Sequence, residues 1–245
     1  MAHVTAARLA ELLRERQPCV ALTGAGVSTE SGIPDFRSAG GIWAEYDPTE
    51  VASLAGFRRE PERVWEFYDR RLALLAEAEP NDGHRALARL EELGLLDAVV
   101  TQNVDGLHQQ AGSREVVEVH GSIRTAVCTA CGAELGADRV RELLPLPRCD
   151  CGAVLKPGVV LFGELLPAPA FERASELARA ARLLLVVGSS LEVHPVGGLP
   201  LETLAAGGAL AIVNRGRTPL DARADVRIDG SAGTTLHEVA DLLAG

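Results

Sequence analysis

Cys128, Cys131, Cys149 and Cys151 fall within 24 positions, as Cys-x-x-Cys, 17 intervening residues, then Cys-x-Cys. Thiolates on two tight turns converge tetrahedrally, and four of them close the coordination of a zinc ion with no position left for an activated water. The spacing therefore predicts one structural Zn2+ held by all four. The remaining cysteine, Cys19, opens an apolar run and reads as a buried filler. His120 ends the run Val116 to Val119 beside Gly121, and an imidazole with its ordinary pKa near about 6.5 can accept a proton at neutral pH. Gly24-Ala25-Gly26-Val27-Ser28 follows another apolar run, where glycines let backbone N–H groups approach a pyrophosphate or simply make a tight turn. Thr29 stands where a dinucleotide fingerprint has its third glycine, which disfavours an ordinary dehydrogenase. Asn103 and Asp105 serve equally as helix caps before Gly106 or as ligand contacts.

These residues need elements to place them. Short Val/Leu runs at Cys19 to Leu22, Ala98 to Val100, Val116 to Val119, Val159 to Phe162, Leu183 to Val187 and Leu210 to Val213 look like strands buried on both faces. Amphipathic helical patterns at Ala6 to Arg16, Gly83 to Leu93, Phe171 to Ala181 and Thr234 to Leu243 alternate with them. The fold class expected is α/β, a Rossmann-like parallel sheet with helices on both faces, and its ligands belong at the carboxyl ends of the strands. Two segments break the alternation. Residues 37–80 hold six of the nine aromatics, and residues 124–156 hold the cysteine quartet. The division expected is a main domain of residues 1–36, 81–123 and 157–245, with 37–80 and 124–156 forming a smaller zinc-and-helix domain.

Composition narrows the class. With 24 Lys+Arg against 34 Asp+Glu the formal charge is −10, so no nucleic-acid or lipid surface is expected. The longest apolar runs fall far short of a bilayer crossing, and the first residues, with Glu11 and Glu15, show no secretion signal, so the expected location is cytoplasmic.

The stretch Gly24 to Ser28 continues as Thr29-Glu30-Ser31-Gly32-Ile33-Pro34-Asp35-Phe36-Arg37. Together with Gln102-Asn103-Val104-Asp105, His120-Gly121, Phe162-Gly163-Glu164 and Gly188-Ser189-Ser190 it resembles the sirtuin family of NAD-dependent protein deacylases, from about Thr23 to the C-terminal helix. The resemblance implies that NAD is a co-substrate and that acyl-lysine proteins or peptides are the partners. The acyl oxygen of a modified lysine would attack the ribose carbon as nicotinamide leaves. His120 would then deprotonate a ribose hydroxyl, with Asn103 and Asp105 also in the catalytic set, and the acyl group would end on ADP-ribose. The NAD contacts implied are Gly24, Ala25, Gly26, Ser28, Ile33, Asp35, Phe36, Arg37, Trp43, Gln102, Asn103, Val104, Asp105, Gly188, Ser189, Ser190, Asn214, Arg215, Gly216 and Ala232. The substrate contacts implied are Val160, Phe162, Gly163, Glu164, Leu191 and Val193. In the family the second cysteine pair is usually Cys-x-x-Cys, one residue longer than here.

Tyr68-Asp69-Arg70-Arg71 lies in a helix expected around Val64 to Leu75, so Tyr68 and Arg71, at i and i+3, share a face. Spacing alone favours a core tyrosine and a solvated arginine. Sirtuins that prefer succinyl- and malonyl-lysine carry Tyr-x-x-Arg at this place and a small residue in the acyl pocket, here Ala52. The resemblance thus implies desuccinylase or demalonylase activity with deacetylation second. A carboxylate in an apolar tunnel needs a partner that stays charged and binds it bidentately, as arginine does. Three other readings stand beside this one: a predominant deacetylase, a non-catalytic zinc interaction module with no need of His120, and a nicotinamide hydride-transfer enzyme with no acyl-lysine tunnel.

Overall fold

The computed structural model describes residues 2–244. Six strands form a wholly parallel sheet: β1 (Cys19–Thr23), β2 (Ala98–Thr101), β3 (Val116–Glu118), β7 (Leu183–Val187), β8 (Ala209–Val213) and β9 (Val226–Ile228), in the order β3-β2-β1-β7-β8-β9. The remaining three strands, β4 (Gly121–Cys128), β5 (Glu134–Gly136) and β6 (Leu155–Val159), make a separate antiparallel sheet ordered β5-β4-β6. The chain reverses its direction of winding between the neighbours β1 and β7, and such a switch point opens a crevice at the carboxyl ends of the strands.

Alternation along each central strand explains the unbroken apolar runs. Cys19, Ala21, Leu183, Leu185, Ala209 and Ala211 face one way, into a core closed by α1 (Ala2–Glu15), α5 (Asp82–Glu92) and α10 (Ala232–Ala244). Val20, Leu22, Leu184, Val186, Leu210 and Ile212 face the other way, under α8 (Ala168–Ala180) and α9 (Leu199–Ala205). Both faces are dry, so neither register of side chains is polar. Cys19 is fully buried as the first residue of β1, and burial pushes its thiol pKa up, as suits an inert filler.

A third core lies outside the large sheet. It packs Val51, Phe57, Val64, Trp65, Phe67, Tyr68 and Leu72 against Ile123, Ala126, Val140, Leu155 and Leu161. Trp65 donates its indole N–H to the Leu155 carbonyl at 2.7 Å, tying α4 (Pro61–Glu77) to β6. The short helices α2 (Pro48–Val51) and α3 (Leu54–Arg59) pack on α4, while α7 (Ala137–Glu142) covers β4. The remaining helix, α6 (Leu107–Gln110), follows β2.

One expected strand is corrected. Val159 to Phe162 adds nothing to the parallel sheet, because strand structure ends at Val159 in β6, whose partner is β4. Beyond it Val160 donates its N–H to the His120 carbonyl (2.9 Å) and Phe162 to the Ala52 carbonyl (2.8 Å), so the run crosses between elements. Two elements of the α/β layer around the parallel sheet, α9 and β9, had no counterpart among the expected helices and strands. Among the described residues, no helix is long and apolar enough to cross a membrane.

Candidate active site

A cleft of about 880 Å³ opens where the carboxyl ends of β1, β2, β7 and β8 meet the third core. Its walls include Gly24, Ala25, Gly26 and Ser28 after β1, Ile33, Asp35, Phe36, Arg37 and Trp43 from the following loop, and Gln102, Asn103, Val104 and Asp105 after β2. His120 follows β3, Gly188, Ser189 and Ser190 follow β7, and Asn214 and Arg215 follow β8. Ala52, Tyr68, Arg71, Val160, Phe162, Gly163, Glu164 and Val193 close the other side. Three expected contacts lie elsewhere. Leu191 is buried in the core under α8 and α9, Ala232 is buried at the start of α10, and Gly216 is exposed with its N–H on the Asp229 carboxylate.

The polar centre is a closed set of hydrogen bonds. Ser28 Oγ donates to Asp105 Oδ2 (2.8 Å) and accepts from Asn103 Nδ2 (2.9 Å). Asp105 Oδ1 accepts from the Leu107 N–H (3.0 Å), so the carboxylate caps α6 and orders the site at once. Below Ser28, His84 Nδ1 accepts the Asn81 N–H at 3.2 Å, which leaves the proton on Nε2, 3.4 Å from Ser28 Oγ. The local cause is a capping box, Asn81 holding the first turn of α5 and His84 reaching back to it. His108 Nε2 lies 2.9 Å from Thr23 Oγ1, which in turn donates to Thr101 Oγ1 at 2.8 Å. Burial pushes the His84 pKa down to about 4 and that of His108 to about 3, so both rings are neutral supports.

His120 differs from these two because it lines the cleft. Its Nδ1 lies 3.1 Å from the Gln102 carbonyl, an acceptor only, so the neutral ring carries its proton there and presents the Nε2 lone pair. Burial holds its pKa below the ordinary histidine value, and the bond to Gln102 opposes that shift. An unprotonated base is therefore available at pH 7. Gly121 beside it is required: φ is +75°, and a Cβ there would lie 2.2 Å from the Gly158 carbonyl oxygen.

Of the two readings of the glycines after β1, the tight turn is present, with the Val27 N–H on the Gly24 carbonyl at 3.0 Å. Gly24 and Gly26 donate their N–H groups to the Val187 and Gly188 carbonyls (3.1 and 2.8 Å), so those donors are already engaged. A Cβ on Gly26 would meet Gly188 Cα at 2.8 Å. Close approach of the β1 and β7 ends thus explains the glycines, which bring Ser189 within 2.9 Å of Gln102 Nε2.

Arg71 sits in an aromatic wall. Its guanidinium carbon is 5.3 Å from the Phe36 ring and 5.7 Å from Phe67, and Phe67 meets Tyr68 edge-on at 5.1 Å. Burial lowers the Arg71 pKa, while Tyr68 and Asp105 oppose the shift, and among the described residues no carboxylate or hydrogen-bond acceptor pairs with it. The Tyr68 hydroxyl is likewise held above its ordinary pKa by burial. Phe67, Leu165, Phe171 and His194 also line the cleft and were not foreseen. For Phe67 the signal was its place in the aromatic-rich insertion; the others carried none.

The cysteine sulfurs converge. All four Sγ atoms lie within 4.8 Å of one another, and the Cys128–Cys151 and Cys131–Cys149 pairs are at 3.6 Å. A tetrahedron of Zn–S bonds near 2.3 Å has edges of about 3.8 Å, so the set suits one structural zinc. The shortened second pair is accommodated by a shorter turn with the same two closures. Cys128 N–H reaches the Ala133 carbonyl and Gly132 N–H returns to Cys128, while Cys149 reaches Ala153 and Gly152 returns to Cys149. Backbone N–H groups of Cys131 and Ala130 pull the Cys128 pKa down to about 6, toward the ligating thiolate.

Residues 24–195 match the model of the Sir2 family. The chain belongs to the Sir2 family. It is 44% identical to NAD-dependent protein deacylase 1 of Archaeoglobus fulgidus over 233 residues, 95% of each protein. It is 47% identical to an NAD-dependent protein deacetylase of Sulfolobus acidocaldarius over 96% of this chain and 93% of that protein. Among solved structures, a Sir2 homologue in complex with NAD superposes with a TM-score of 0.92 at 43% identity, covering 97% of this chain and 93% of the other. A Sir2 protein holding a deacetylated p53 peptide and 3′-O-acetyl ADP ribose gives 0.92 at 40% identity, covering 96% and 97%. The Sir2 fold thus accounts for the α/β sheet, the cysteine cluster and the cleft at the strand ends.

Proposed function

We propose that this Sir2-family protein is an NAD-dependent protein-lysine deacylase that favours acyl groups ending in a carboxylate, succinyl or malonyl, with deacetylation as a second activity. Family membership and the deacylase and deacetylase relatives support the activity. The acyl preference rests on one observation: Arg71 is a half-buried cation lining the cleft, with aromatic neighbours and no anionic partner among the described residues.

NAD supplies an electrophilic ribose carbon and a nicotinamide leaving group, and a cleft of about 880 Å³ with polar groups at the strand ends fits it. His120, neutral and presenting Nε2, accepts the proton of a ribose hydroxyl. Ser28, Asn103 and Asp105 hold one another rigidly on the nicotinamide side, and Phe36 screens the reacting centre from water. Ser189, Ser190, Asn214 and Arg215 serve the rest of the dinucleotide. The acyl chain passes Ala52 and ends at Tyr68 and Arg71, where a carboxylate gains two parallel charge-assisted hydrogen bonds. Atoms balance with one water consumed: NAD, acyl-lysine and water give nicotinamide, deacylated lysine and O-acyl-ADP-ribose, and the water enters only after nicotinamide has left and the acyl oxygen is bound to the ribose.

The zinc module carries no step and keeps the third core together. We take residues 37–80 and 124–156 as the small domain, supported by the hydrophobic cluster that both share. The test is a set of matched acetyl-, succinyl- and malonyl-lysine peptides with NAD. A kcat/KM for the acidic acyl groups above that for acetyl supports the preference, and the reverse order makes the protein a deacetylase.

A further inference from the structure

Lys156 is the only lysine among 24 basic residues, and it is buried. Its ammonium lies 2.9 Å from the Pro157 carbonyl, 2.6 Å from the Val159 carbonyl and 3.0 Å from Glu164 Oε2, so all three donors are engaged. Glu164 Oε2 also accepts the Leu161 N–H at 2.8 Å, and the Glu164 N–H closes back on the Leu161 carbonyl. The carboxylate therefore points inward, into the turn that carries it. That turn is joined to the His120 carbonyl through Val160 and to Ala52 through Phe162. Arginine fills every other basic position, yet a planar guanidinium cannot converge on three acceptors around one point as an ammonium does.

We propose that Lys156 and Glu164 are positioning residues, an internal ion pair that fixes residues 160–164 as the substrate-facing wall of the cleft, with the Glu164 carboxylate acting through Lys156 and not by touching substrate. The proposal rests on the deacylase reading, since the wall matters only if an acyl-peptide lies against it. Losing Lys156 leaves the Glu164 charge and the Pro157 and Val159 carbonyls without their partner and frees the wall to shift. A displacement near 1 Å at a positioning group can cost about 100-fold, so Lys156→Met should raise peptide KM and Kd by about 10- to 100-fold. The KM for NAD should stay within about twofold, because the dinucleotide side is untouched.

The experiment measures acyl-peptide Kd, and KM for peptide and for NAD, in wild type, Lys156→Met, Lys156→Arg, Glu164→Gln and the double variant Lys156→Met/Glu164→Gln. Expected are a selective peptide defect, partial rescue by arginine, and a double variant no worse than Lys156→Met alone, as for two halves of one device. A folded Lys156→Met with wild-type peptide Kd, or equal losses toward peptide and NAD, overturns the proposal. Should Lys156→Met fail to fold, Glu164→Gln decides by the same peptide-to-NAD comparison. Amine acylation by an activated ester, read by mass spectrometry, reports on the pair without turnover. Lys156 should resist modification in the native chain and become reactive in Glu164→Gln, and equal reactivity in both would also overturn it. A wild-type protein that binds no acyl-peptide fails the deacylase reading instead.

Discussion

Replacing Arg71 by methionine separates an acidic-acyl deacylase from a deacetylase within one cleft. The guanidinium lies over Phe36 and Phe67 at 5.3 and 5.7 Å and pairs with no carboxylate among the described residues, so a succinyl carboxylate would be its first close anionic partner. Unit charges about 4 Å apart attract by roughly 4 kcal/mol at an effective dielectric of about 20. Truncating one side of a desolvated pair costs about 2 to 5 kcal/mol, or roughly 30- to 5000-fold in kcat/KM. Acetyl-lysine has no carboxylate to strand, and its kcat/KM should hold or rise. Steady-state turnover of the two peptides by wild type and Arg71→Met reads the difference directly. Thermal unfolding of the free protein adds an independent check: removing a half-buried cation that has no ion-pair partner among the described residues should leave stability unchanged or higher. Equal losses on both peptides, together with a lower unfolding temperature, would make Arg71 a structural residue and refute the acyl assignment.

Metal analysis of protein purified without chelators should find one zinc per chain. Cys128→Ser should lose it and loosen the third core, since closing the site contributes folding free energy, and an intact zinc content in that variant would contradict the ligand set. Acid should destabilise the fold before most carboxylates titrate. The unfolded chain protonates His84 and His108 near pH 6.5, whereas the native pKa values are about 4 and about 3, so below pH 6.5 the unfolded state binds more protons. Each ring then costs about 1.4 kcal/mol per pH unit, or about 2 kcal/mol each by pH 5. Urea unfolding at pH 7 and pH 5 measures this, with a shallower dependence expected for His108→Gln; identical slopes would rule the histidines out.

The parallel sheet was legible because β1, β7 and β8 are buried on both faces, which leaves a continuous apolar run as their only signature. The same signature misled at Val159 to Phe162, where apolar residues line a cleft and pack a third core, and where the pairings are with β4 and with Ser53, outside the parallel sheet. β9 went unseen because three residues with Arg227 at the centre show no run. The zinc site was readable because its ligands are local in pairs. Gly24 and Gly26 pointed to the right place for a different reason, since the partner that demands glycine, Gly188, is distant in sequence. His84 and His108 escaped notice, and Lys156 stood out as the lone lysine without pointing to a role, for a similar cause: each acts through groups that only the fold brings near.

Acyl transfer to ADP-ribose with His120 as base is tested most directly by product stoichiometry. Wild-type protein, NAD and a succinyl-lysine peptide are mixed, and nicotinamide, free-lysine peptide and O-succinyl-ADP-ribose are quantified by mass spectrometry. The expected result is equal amounts of all three. In His120→Ala the rate should fall by about 10² to 10⁴ while NAD binding is retained. Free succinate released without consumption of NAD, or near-normal turnover in His120→Ala, would contradict both the reaction and the base.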